Sequence, residues 1–398
     1  MARIDKNHPN EAWIAQLRRQ YPCETEIDRI LTRKLLRRAG PSFAPVSLEQ
    51  LIAGLHTLLK RHLKDDFRIH DASWMTGGAS KLQMFFRLDW NSPEVGRTVT
   101  PLVLRMEPSA SVVESSRLRE FQAIRALAGQ IPLPAAYWVD AEGDCLPYPA
   151  VVSGFVGGVT KPTGGSAGVS GTGATFSPDT AKALADEFIR HMAALHRFNW
   201  RNAKLEAFDI PSPPEQSVEW QINWWERVWE EDANEDIPLV RLAFAWLRQN
   251  QPAVDHLSLV HGDLRTGNFL YDESNNRITA ILDWETVHIG DRHEDVVYMA
   301  NAPYWVLAAD GKTRLLGGLL PEDAFYDAYE KASGMTVIPQ KITFYKVLNS
   351  LKVISVALAG SYRTALCGKT HQDVLVAWVM GFIPIVLEDL RCTLEEVA

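Results

Sequence analysis

Cysteine is scarce in this chain of 398 residues, which contains only Cys23, Cys145, Cys367 and Cys392 and no C-x-x-C pair. Disulfide scaffolds and zinc sites need several closely spaced cysteines, so the sequence predicts neither and favours the reducing cytoplasm. The first residues, MARIDKNHPNEAWIAQL, lack the apolar core of a signal peptide, which agrees with a cytoplasmic localisation.

Long apolar runs are missing as well. The longest run, VLVAWVMGFIPIVL at 374–387, has 14 residues and contains Gly381 and Pro384. A helix that crosses a membrane needs about 20 apolar residues, so we expect a buried C-terminal helix and no membrane span.

The chain also has no excess of positive charge. It contains 41 Lys and Arg and 49 Asp and Glu, which give a formal charge of −8. Nucleic-acid binding depends on basic patches that neutralise phosphates, so the charge argues against a nucleic-acid partner. A hydrophobic share of 46% and a charged share of 23% are ordinary for a globular protein.

Hydrophobic periodicity divides the chain into three parts. Residues 1–70 are helical, and Ser47 with Gln50 forms a capping box before the leucines of SLEQLIAGLHTLLKRHL. Residues 71–156 alternate like strands, and 157–398 begin with a Gly-rich connector and continue as helices. We therefore predict an α+β protein with an N-terminal helical extension, a small β-rich lobe and a larger helical lobe, with a ligand cleft between the lobes.

One stretch of the larger lobe carries polar groups suited to chemistry. In LVHGDLRTGNFLYDESNNRITAILDWE, Asp263 and Asn268 lie in a glycine-punctuated loop, and Asp283 follows a predicted hairpin. A hairpin brings its outer ends together, so Asn268 and Asp283 should be neighbours. Their oxygens suit Mg²⁺, and Asp263 is left to take a proton from a hydroxyl, which is the division of labour in phosphoryl transfer.

Three motifs in order, HGDLRTGN at 261–268, ILDWE at 281–285 and GDRHED at 290–295, together resemble the aminoglycoside phosphotransferase family of small-molecule kinases. The resemblance implies a bilobal protein-kinase-like fold with ATP as phosphoryl donor, GTP being left open. It implies that Asp263 is the catalytic base and that Asn268 and Asp283 are the Mg²⁺ ligands. His261 would orient the loop and Asp295 would brace it.

The same resemblance implies a nucleotide site in the small lobe. The phosphate-covering loop would be TGGASK at 76–81, with contacts from Gly77, Gly78, Ala79 and Ser80. The cation on the third strand would be Arg105, where protein kinases have Lys, paired with Glu120 or alternatively Glu114. The nucleobase would meet backbone groups of the fifth strand, at Gly154, Phe155 and Val156.

The acceptor is the open question. Acidic residues and tryptophans fill EWQINWWERVWEEDANEDIP at 219–238, which is either an acidic wall for a polycationic aminoglycoside or a solvated helix face, with Trp225 and Trp229 packed inward. The whole pattern is most similar to the kinase-like domains fused to some acyl-CoA dehydrogenases, which points to a hydroxyacyl or other small metabolite carrying a hydroxyl group.

Three alternatives stay open at this point. One is an antibiotic kinase, and another is a nucleotide-binding scaffold without catalysis, which Arg105 favours. A protein kinase is disfavoured because D-F-G and A-P-E motifs are absent. The resemblance does not extend to residues 1–70. Whether these residues form the contact of a homodimer is left open.

Overall fold

The computed structural model describes residues 5–75, 81–108, 110–163, 172–369 and 373–397. The small lobe is a five-stranded antiparallel sheet in the order β1-β2-β3-β5-β4. Its strands are β1 (Arg68–Trp74), β2 (Leu82–Ser92), β3 (Gly96–Met106), β4 (Ala136–Asp140) and β5 (Ala150–Gly154), and the first four helices are α1 (Glu11–Gln20), α2 (Thr25–Arg37), α3 (Leu48–His62) and α4 (Arg117–Ala126).

Alternation along the strands builds the core of this sheet. In β2, Met84, Phe86 and Leu88 are buried, and every second side chain points away. Helix α3 covers the buried face with four leucines at helical spacing, Leu51, Leu55, Leu58 and Leu59. The predicted capping box is confirmed, since the side chains of Ser47 and Gln50 each bond the other residue's backbone N–H.

The larger lobe is mainly helical. Its helices are α5 (Pro178–Arg197), α6 (Gln216–Asp232), α7 (Pro238–Gln249), α8 (His293–Tyr298), α9 (Glu322–Ser333), α10 (Pro339–Ile354), α11 (Tyr362–Leu366), α12 (Asp373–Met380) and α13 (Ile383–Glu395). Its strands are β6 (Leu257–Val260), β7 (Phe269–Asp272), β8 (Arg277–Ile281), β9 (His288–Asp291), β10 (Trp305–Leu307), β11 (Arg314–Leu316) and β12 (Leu320–Pro321). The predicted hairpin is β7–β8, in which Phe269 pairs with Ile281.

The N-terminal helices attach to both lobes. Helix α3 belongs to the core of the sheet, whereas Ile27 and Leu31 of α2 belong to the core of the helical lobe. Lys34 and Arg38 reach Asp232 at the end of α6 in nearly buried ion pairs. The division of the chain at residue 70 stays a prediction, and β1 begins at Arg68.

The C-terminal apolar run differs from the prediction. It forms two helices, α12 and α13, and Ile385 in α13 is 53% exposed, so the expected single buried helix is wrong. Proline is tolerated in the first turn of a helix but not inside one, and Pro384 therefore lies at the start of α13.

One helical stretch, 339–366, is long and apolar enough to cross a membrane by length and composition. It comprises α10, a π-helical segment at 355–361, and α11. Because 67% of its most apolar window is buried inside the protein, it has the environment of a core helix.

Candidate active site

A cleft of about 1440 Å³ separates the sheet from the helical lobe. Predicted site residues from both lobes line it, namely Arg105, Glu120, Gly154, Phe155, Val156, Asp263 and Asp283. Asn268 is buried directly behind Asp263, with 1% of its surface exposed. Gly77, Gly78, Ala79 and Ser80 lie outside the described residues, so the phosphate-covering loop stays a prediction.

The loop before Asp263 is fixed by its own backbone. The N–H groups of His261 and Gly262 donate to the two carboxylate oxygens of Asp295, each at 2.8 Å. Gly262 has a φ of +80°, and a Cβ there would lie 2.8 Å from Oγ1 of Thr286, so only glycine fits. The bracing contacts expected of Asp295 are therefore present.

His261 links this loop to the end of the hairpin. Its Nε2 lies 2.8 Å from the carbonyl oxygen of Leu282, and its Nδ1 lies 3.2 Å from the backbone nitrogen of Asp263. A neutral imidazole with the proton on Nε2 satisfies both contacts, because Nε2 then donates and Nδ1 accepts. The ring thus ties the segment before Asp263 to the residue before Asp283.

Asp263 is held from both sides of its carboxylate. Oδ1 accepts from Nε of Arg265 at 2.9 Å, and Oδ2 accepts from Nδ2 of Asn268 at 2.7 Å. The same Asn268 amide nitrogen reaches the carbonyl oxygen of Asp263 at 2.8 Å and closes the loop. Since a quarter of the Asp263 side chain is exposed, its carboxylate is oriented and still accessible from the cleft.

The hairpin places Asp283 beside this loop. The Leu282 N–H donates to the Asn268 carbonyl oxygen at 2.8 Å, so the two predicted metal ligands lie at adjacent hairpin ends. Asp283 has a φ of +63°, and its carboxylate is paired with Arg105. Burial raises the pKa of Asp283, but the charges of Arg105 and Arg265 outweigh burial and hold it below the usual value.

Arg105 connects the sheet to α4. Its guanidinium donates to Oε1 of Glu120 at 3.0 Å, which is the preferred partner expected from the sequence. The alternative partner, Glu114, accepts instead from the backbone N–H of Ser111 at 3.1 Å. Arg105 therefore bridges Glu120 of α4 and Asp283 of the other lobe.

Sequence reasoning missed a second layer of charge around Arg105. Lys81 is 2% exposed, and its Nζ lies 3.1 Å from Glu107 and 3.3 Å from Glu285. Arg117 is buried between Glu107, at 3.0 Å, and Glu120. We call this set the charged end of the cleft: Lys81, Arg105, Glu107, Arg117, Glu120, Asp283 and Glu285.

The pKa of Glu107 reflects this crowding. Burial raises the pKa, but Lys81 and Arg117 overcome that effect and lower it to about 2. In the sequence, only Glu285, directly after the DW of ILDWE, pointed to this second layer of charge. Nothing in the sequence pointed to its partners Lys81 and Arg117.

The fifth strand leaves fewer free backbone groups than expected. The Gly154 N–H donates to the Ala135 carbonyl oxygen at 2.8 Å, and the Phe155 N–H donates to that of Pro101 at 3.0 Å. Within the described part of the chain, the Val156 N–H is the one of the three without a hydrogen-bond partner. The sheet and its neighbouring loops thus already use two of the three N–H groups, and the contact of the nucleobase with backbone groups of Gly154, Phe155 and Val156 stays a prediction.

Another part of the cleft lining is mostly apolar. Side chains from α6, the 339–366 helix, α12, the turn after it and α13 form this part, and we call the set the apolar end: Trp225, Val353, Val356, Ala357, Val376, Trp378, Val379, Phe382 and Ile383. Trp225 and Trp229 are both 1% exposed, which agrees with the inward packing expected for them.

The acidic residues of 219–238 do not line this cleft. Glu226 pairs with Arg248, and Glu230 pairs with Arg241. Glu231 and Asp232 are buried against Lys34 of α2. The acidic-wall interpretation is therefore wrong for these residues, since arginine and lysine partners, partly from α2, occupy the carboxylates.

A separate group of potential metal ligands, Asp255, Asp291 and His293, has donor atoms within 4.8 Å of one another. Nζ of Lys341 lies 2.6 Å from each of the two aspartates, and Arg292 lies 2.9 Å from Asp255. These cations already balance the carboxylates, so the group is an ion-pair cluster of the helical lobe.

The model of the phosphotransferase enzyme family matches residues 77–336, which include strands β2 to β5 of the sheet, the loop of Asp263 and the hairpin. The chain belongs to this family. Membership confirms the predicted enzyme class, a small-molecule phosphotransferase, and the kinase-like α+β fold.

Curated relatives of the chain carry acyl-CoA dehydrogenase names. Human acyl-CoA dehydrogenase family member 11 is 25% identical over 203 residues, which are 50% of this chain and 26% of that protein. The probable acyl-CoA dehydrogenase IBR3 of Arabidopsis thaliana is 25% identical over 308 residues, 72% of this chain and 34% of that protein. The chain thus spans between a quarter and about a third of these relatives.

Solved structures share the fold. A Ralstonia eutropha protein described as an aminoglycoside phosphotransferase superposes with a TM-score of 0.60 at 22% identity, covering 85% of this chain and 97% of that one. An aminoglycoside phosphotransferase in complex with GDP and kanamycin gives 0.54 at 17% identity, covering 84% and 97%. APH(4)-Ia with AMP-PNP and hygromycin B gives 0.51 at 15% identity, covering 84% and 98%.

Proposed function

We propose that this phosphotransferase uses Mg²⁺ and ATP to phosphorylate a hydroxyl group on a small metabolite with an apolar body, such as a hydroxyacyl compound. The observation that carries the proposal is the division of one cleft into a charged end and an apolar end, with Asp263 reachable from the cleft. A nucleotide phosphate chain suits the first end, and an aliphatic acceptor suits the second.

At the charged end, the available oxygen atoms fit a magnesium ion. Oδ1 of Asn268 accepts no hydrogen bond from the described residues, and Asp283 offers a carboxylate at the adjacent end of the hairpin. Mg²⁺ prefers hard oxygen ligands and usually takes only one or two from the protein. Bound there, it would neutralise charge on the phosphate oxygens. Asp283 would exchange its pairing with Arg105 for this role, which frees the guanidinium for a phosphate.

At the reacting centre, Asp263 takes the proton of the acceptor hydroxyl. The acceptor oxygen forms a bond to the terminal phosphorus of ATP, and the bond from that phosphorus to the bridging oxygen of ADP breaks. Arg265 and Asn268 each hold one oxygen of the Asp263 carboxylate, so little reorientation is needed when the hydroxyl arrives.

The apolar end supports an aliphatic acceptor over a polycationic one. An aminoglycoside carries several ammonium groups and needs carboxylates along its binding surface. The acids of α6 do not line this cleft, and Asp263 and Asp283 belong to the catalytic machinery. The names of the curated relatives point in the same direction, although the chain spans a minor part of them.

A non-catalytic nucleotide-binding scaffold is the second candidate, because Arg105 stands where protein kinases have lysine. Arg105 nevertheless makes the ion pair with Glu120 at 3.0 Å, and Asp263, Asn268 and Asp283 lie together at the loop and hairpin ends. A scaffold has no need for an oriented carboxylate that is accessible from the cleft.

The test is an acceptor panel with Mg²⁺ and ATP, in which phosphoryl transfer is followed by ADP release and by phosphorus NMR of the product. The panel pairs hydroxyacyl compounds of increasing chain length with the same chains lacking the hydroxyl, and includes kanamycin and hygromycin B. We expect product only from hydroxylated aliphatic acceptors. A higher kcat/KM for an aminoglycoside would replace the proposal with the antibiotic kinase. Tight Mg²⁺-dependent ATP binding without any product would favour the scaffold.

A further inference from the structure

A buried lysine contacts the backbone immediately before Asp263. Lys352 lies in α10, is 3% exposed, and borders the cleft beside the apolar end. Its Nζ donates to the carbonyl oxygen of Gly262 at 2.7 Å and is paired with Glu294 of α8. The ammonium also lies 5.6 Å from the ring centre of Trp225 and 5.5 Å from that of Tyr298.

We infer that Lys352 is a positioning residue, which holds the Gly262–Asp263 peptide so that the Asp263 carboxylate faces the acceptor hydroxyl. The inference rests on the proposed function of Asp263. Burying an ammonium costs free energy unless it is paired and hydrogen-bonded, so a lysine kept at this position needs all of its contacts.

The other polar groups of this loop are bound from elsewhere. The His261 and Gly262 N–H groups contact Asp295, and the His261 carbonyl oxygen accepts from Oγ1 of Thr286 at 3.0 Å. The Gly262 carbonyl oxygen is the remaining group, and Lys352 binds it from the long core helix. Without that contact, the peptide plane between Gly262 and Asp263 would keep only the 3.2 Å bond from the Asp263 N–H to Nδ1 of His261, and the permissive backbone of glycine would let the plane turn more easily.

The surroundings of Lys352 distinguish positioning from direct binding of substrate. Glu294 is 1% exposed and lies 3.2 Å from Nε2 of His288, so it forms part of the buried framework. Burial raises the pKa of Glu294, but Lys352 and His288 outweigh burial and lower it. One N–H of the ammonium is used by Gly262, another by Glu294, and the aromatic faces of Trp225 and Tyr298 lie beside the remainder.

This arrangement also connects the acceptor to the base. Trp225 and Tyr298 border the cleft, and both rings lie beside the ammonium that holds Gly262. An acceptor that packs against these rings would therefore lie close to the Lys352 ammonium, which orients Asp263 through the Gly262 carbonyl oxygen. Positioning errors near one ångström at a reacting centre can cost about 100-fold in rate.

The experiment compares Lys352→Met with Lys352→Arg and with Lys346→Met, a matched control on the same helix whose side chain pairs with Glu322 near the surface. We expect Lys352→Met to lower kcat by about 100-fold with an unchanged KM for ATP. Arginine should restore most of kcat, because it can donate to both Gly262 and Glu294. Lys346→Met should match the wild type.

Hydrogen exchange provides a readout that does not depend on turnover. The amides of His261, Gly262 and Asp263 should exchange at least about tenfold faster in Lys352→Met than in wild type or Lys346→Met. Lys352→Met leaves the buried carboxylate of Glu294 without its lysine partner, and the double variant Lys352→Met/Glu294→Gln removes that charge as well. The double variant should show the same amide exchange and the same loss of kcat as Lys352→Met. If wild type transfers no phosphoryl group but exchange responds as expected, only the proposed function fails. Unchanged exchange, or full kcat in a folded Lys352→Met, would overturn the role of Lys352.

Discussion

The charged end and the apolar end of the cleft differ in how their side chains are held. At the charged end, Lys81, Arg105 and Arg117 alternate with Glu107, Glu120, Asp283 and Glu285, and each charge lies within ion-pair distance of an opposite one. At the apolar end, Val356, Val379 and Phe382 meet the cleft without directional contacts.

Under the proposed function, this difference assigns the phosphoryl chemistry to the charged end and the choice of acceptor to the apolar end. A network of ion pairs fixes positions, because removing one member leaves another charge buried and unpaired. Apolar side chains instead tolerate substitution when their volume is kept. The apolar end could therefore change its ligand without disturbing the charged end. Lys352 and Arg265 line the same cleft and contact the loop of Asp263.

Replacing Asp263 should have the largest effect. It tests whether Asp263 acts between a nucleotide at the charged end and an acceptor at the apolar end. Asp263→Ala should lower kcat by about two to four orders of magnitude, the usual contribution of a positioned base. ATP affinity should be unchanged, since Asp263 does not belong to the charged end. Steady-state kinetics and calorimetry measure both, with the exposed Asp186→Ala as control. Normal turnover in Asp263→Ala would remove it as the base.

Asp283→Ala tests the charged end alone. Loss of the carboxylate should remove the Mg²⁺-dependent part of ATP affinity, by about 100-fold or about 3 kcal/mol. Binding measured with Mg²⁺ and with a chelator should then be equal in the variant and different in the wild type. An undiminished effect of Mg²⁺ would show that the ion is held by other residues.

The sequence predicts the groups near Asp263 because a local hairpin brings them together. Asn268 and Asp283 are separated by one turn, and local hydrogen bonds set the geometry of that turn. Arg105 and Glu120 were also predictable, through their places on a strand and the following helix. In each case, short segments of regular structure determine which of these residues lie close together.

Partners from distant segments could not be predicted in this way. Asp232 and Lys34 are 198 residues apart, and their pairing decides that the acids of α6 face α2 rather than the cleft. Lys352 and Gly262 are 90 residues apart, and nothing in VLNSLKVIS distinguishes a lysine that contacts the loop of Asp263 from one in solvent. The apolar end is likewise assembled from four separate segments, so composition alone could not reveal its ligand.

Glu107→Gln tests the charged end through its pH dependence, because Glu107 is a buried member of that end and pairs with Lys81 and Arg117. Its pKa is about 2 in the folded protein against an ordinary value of 4.5, so the carboxylate stabilises the fold fully above pH 4.5 and this contribution is lost as the pH falls towards 2. Near neutral pH the variant should be less stable by about 3 kcal/mol.

The difference between wild type and Glu107→Gln should shrink on acidification, because a protonated glutamate resembles glutamine. Urea unfolding from neutral pH to about pH 3 measures it. The exposed Glu396→Gln serves as control and should follow the wild type at every pH. A pH-independent difference would mean that Glu107 acts through packing rather than through charge.

Phe382→Ser tests the apolar end and should give the smallest effect. Phe382 packs edge-on against Trp378 with ring centres 4.4 Å apart, and both border the cleft. Loss of this surface should raise KM for an aliphatic acceptor by about tenfold, the effect expected for one or two buried methylene groups, with kcat and the KM for ATP unchanged. Ile385→Ser, on the exposed side of α13, is the matched control. A change in the KM for ATP instead would show that the two ends of the cleft are energetically coupled.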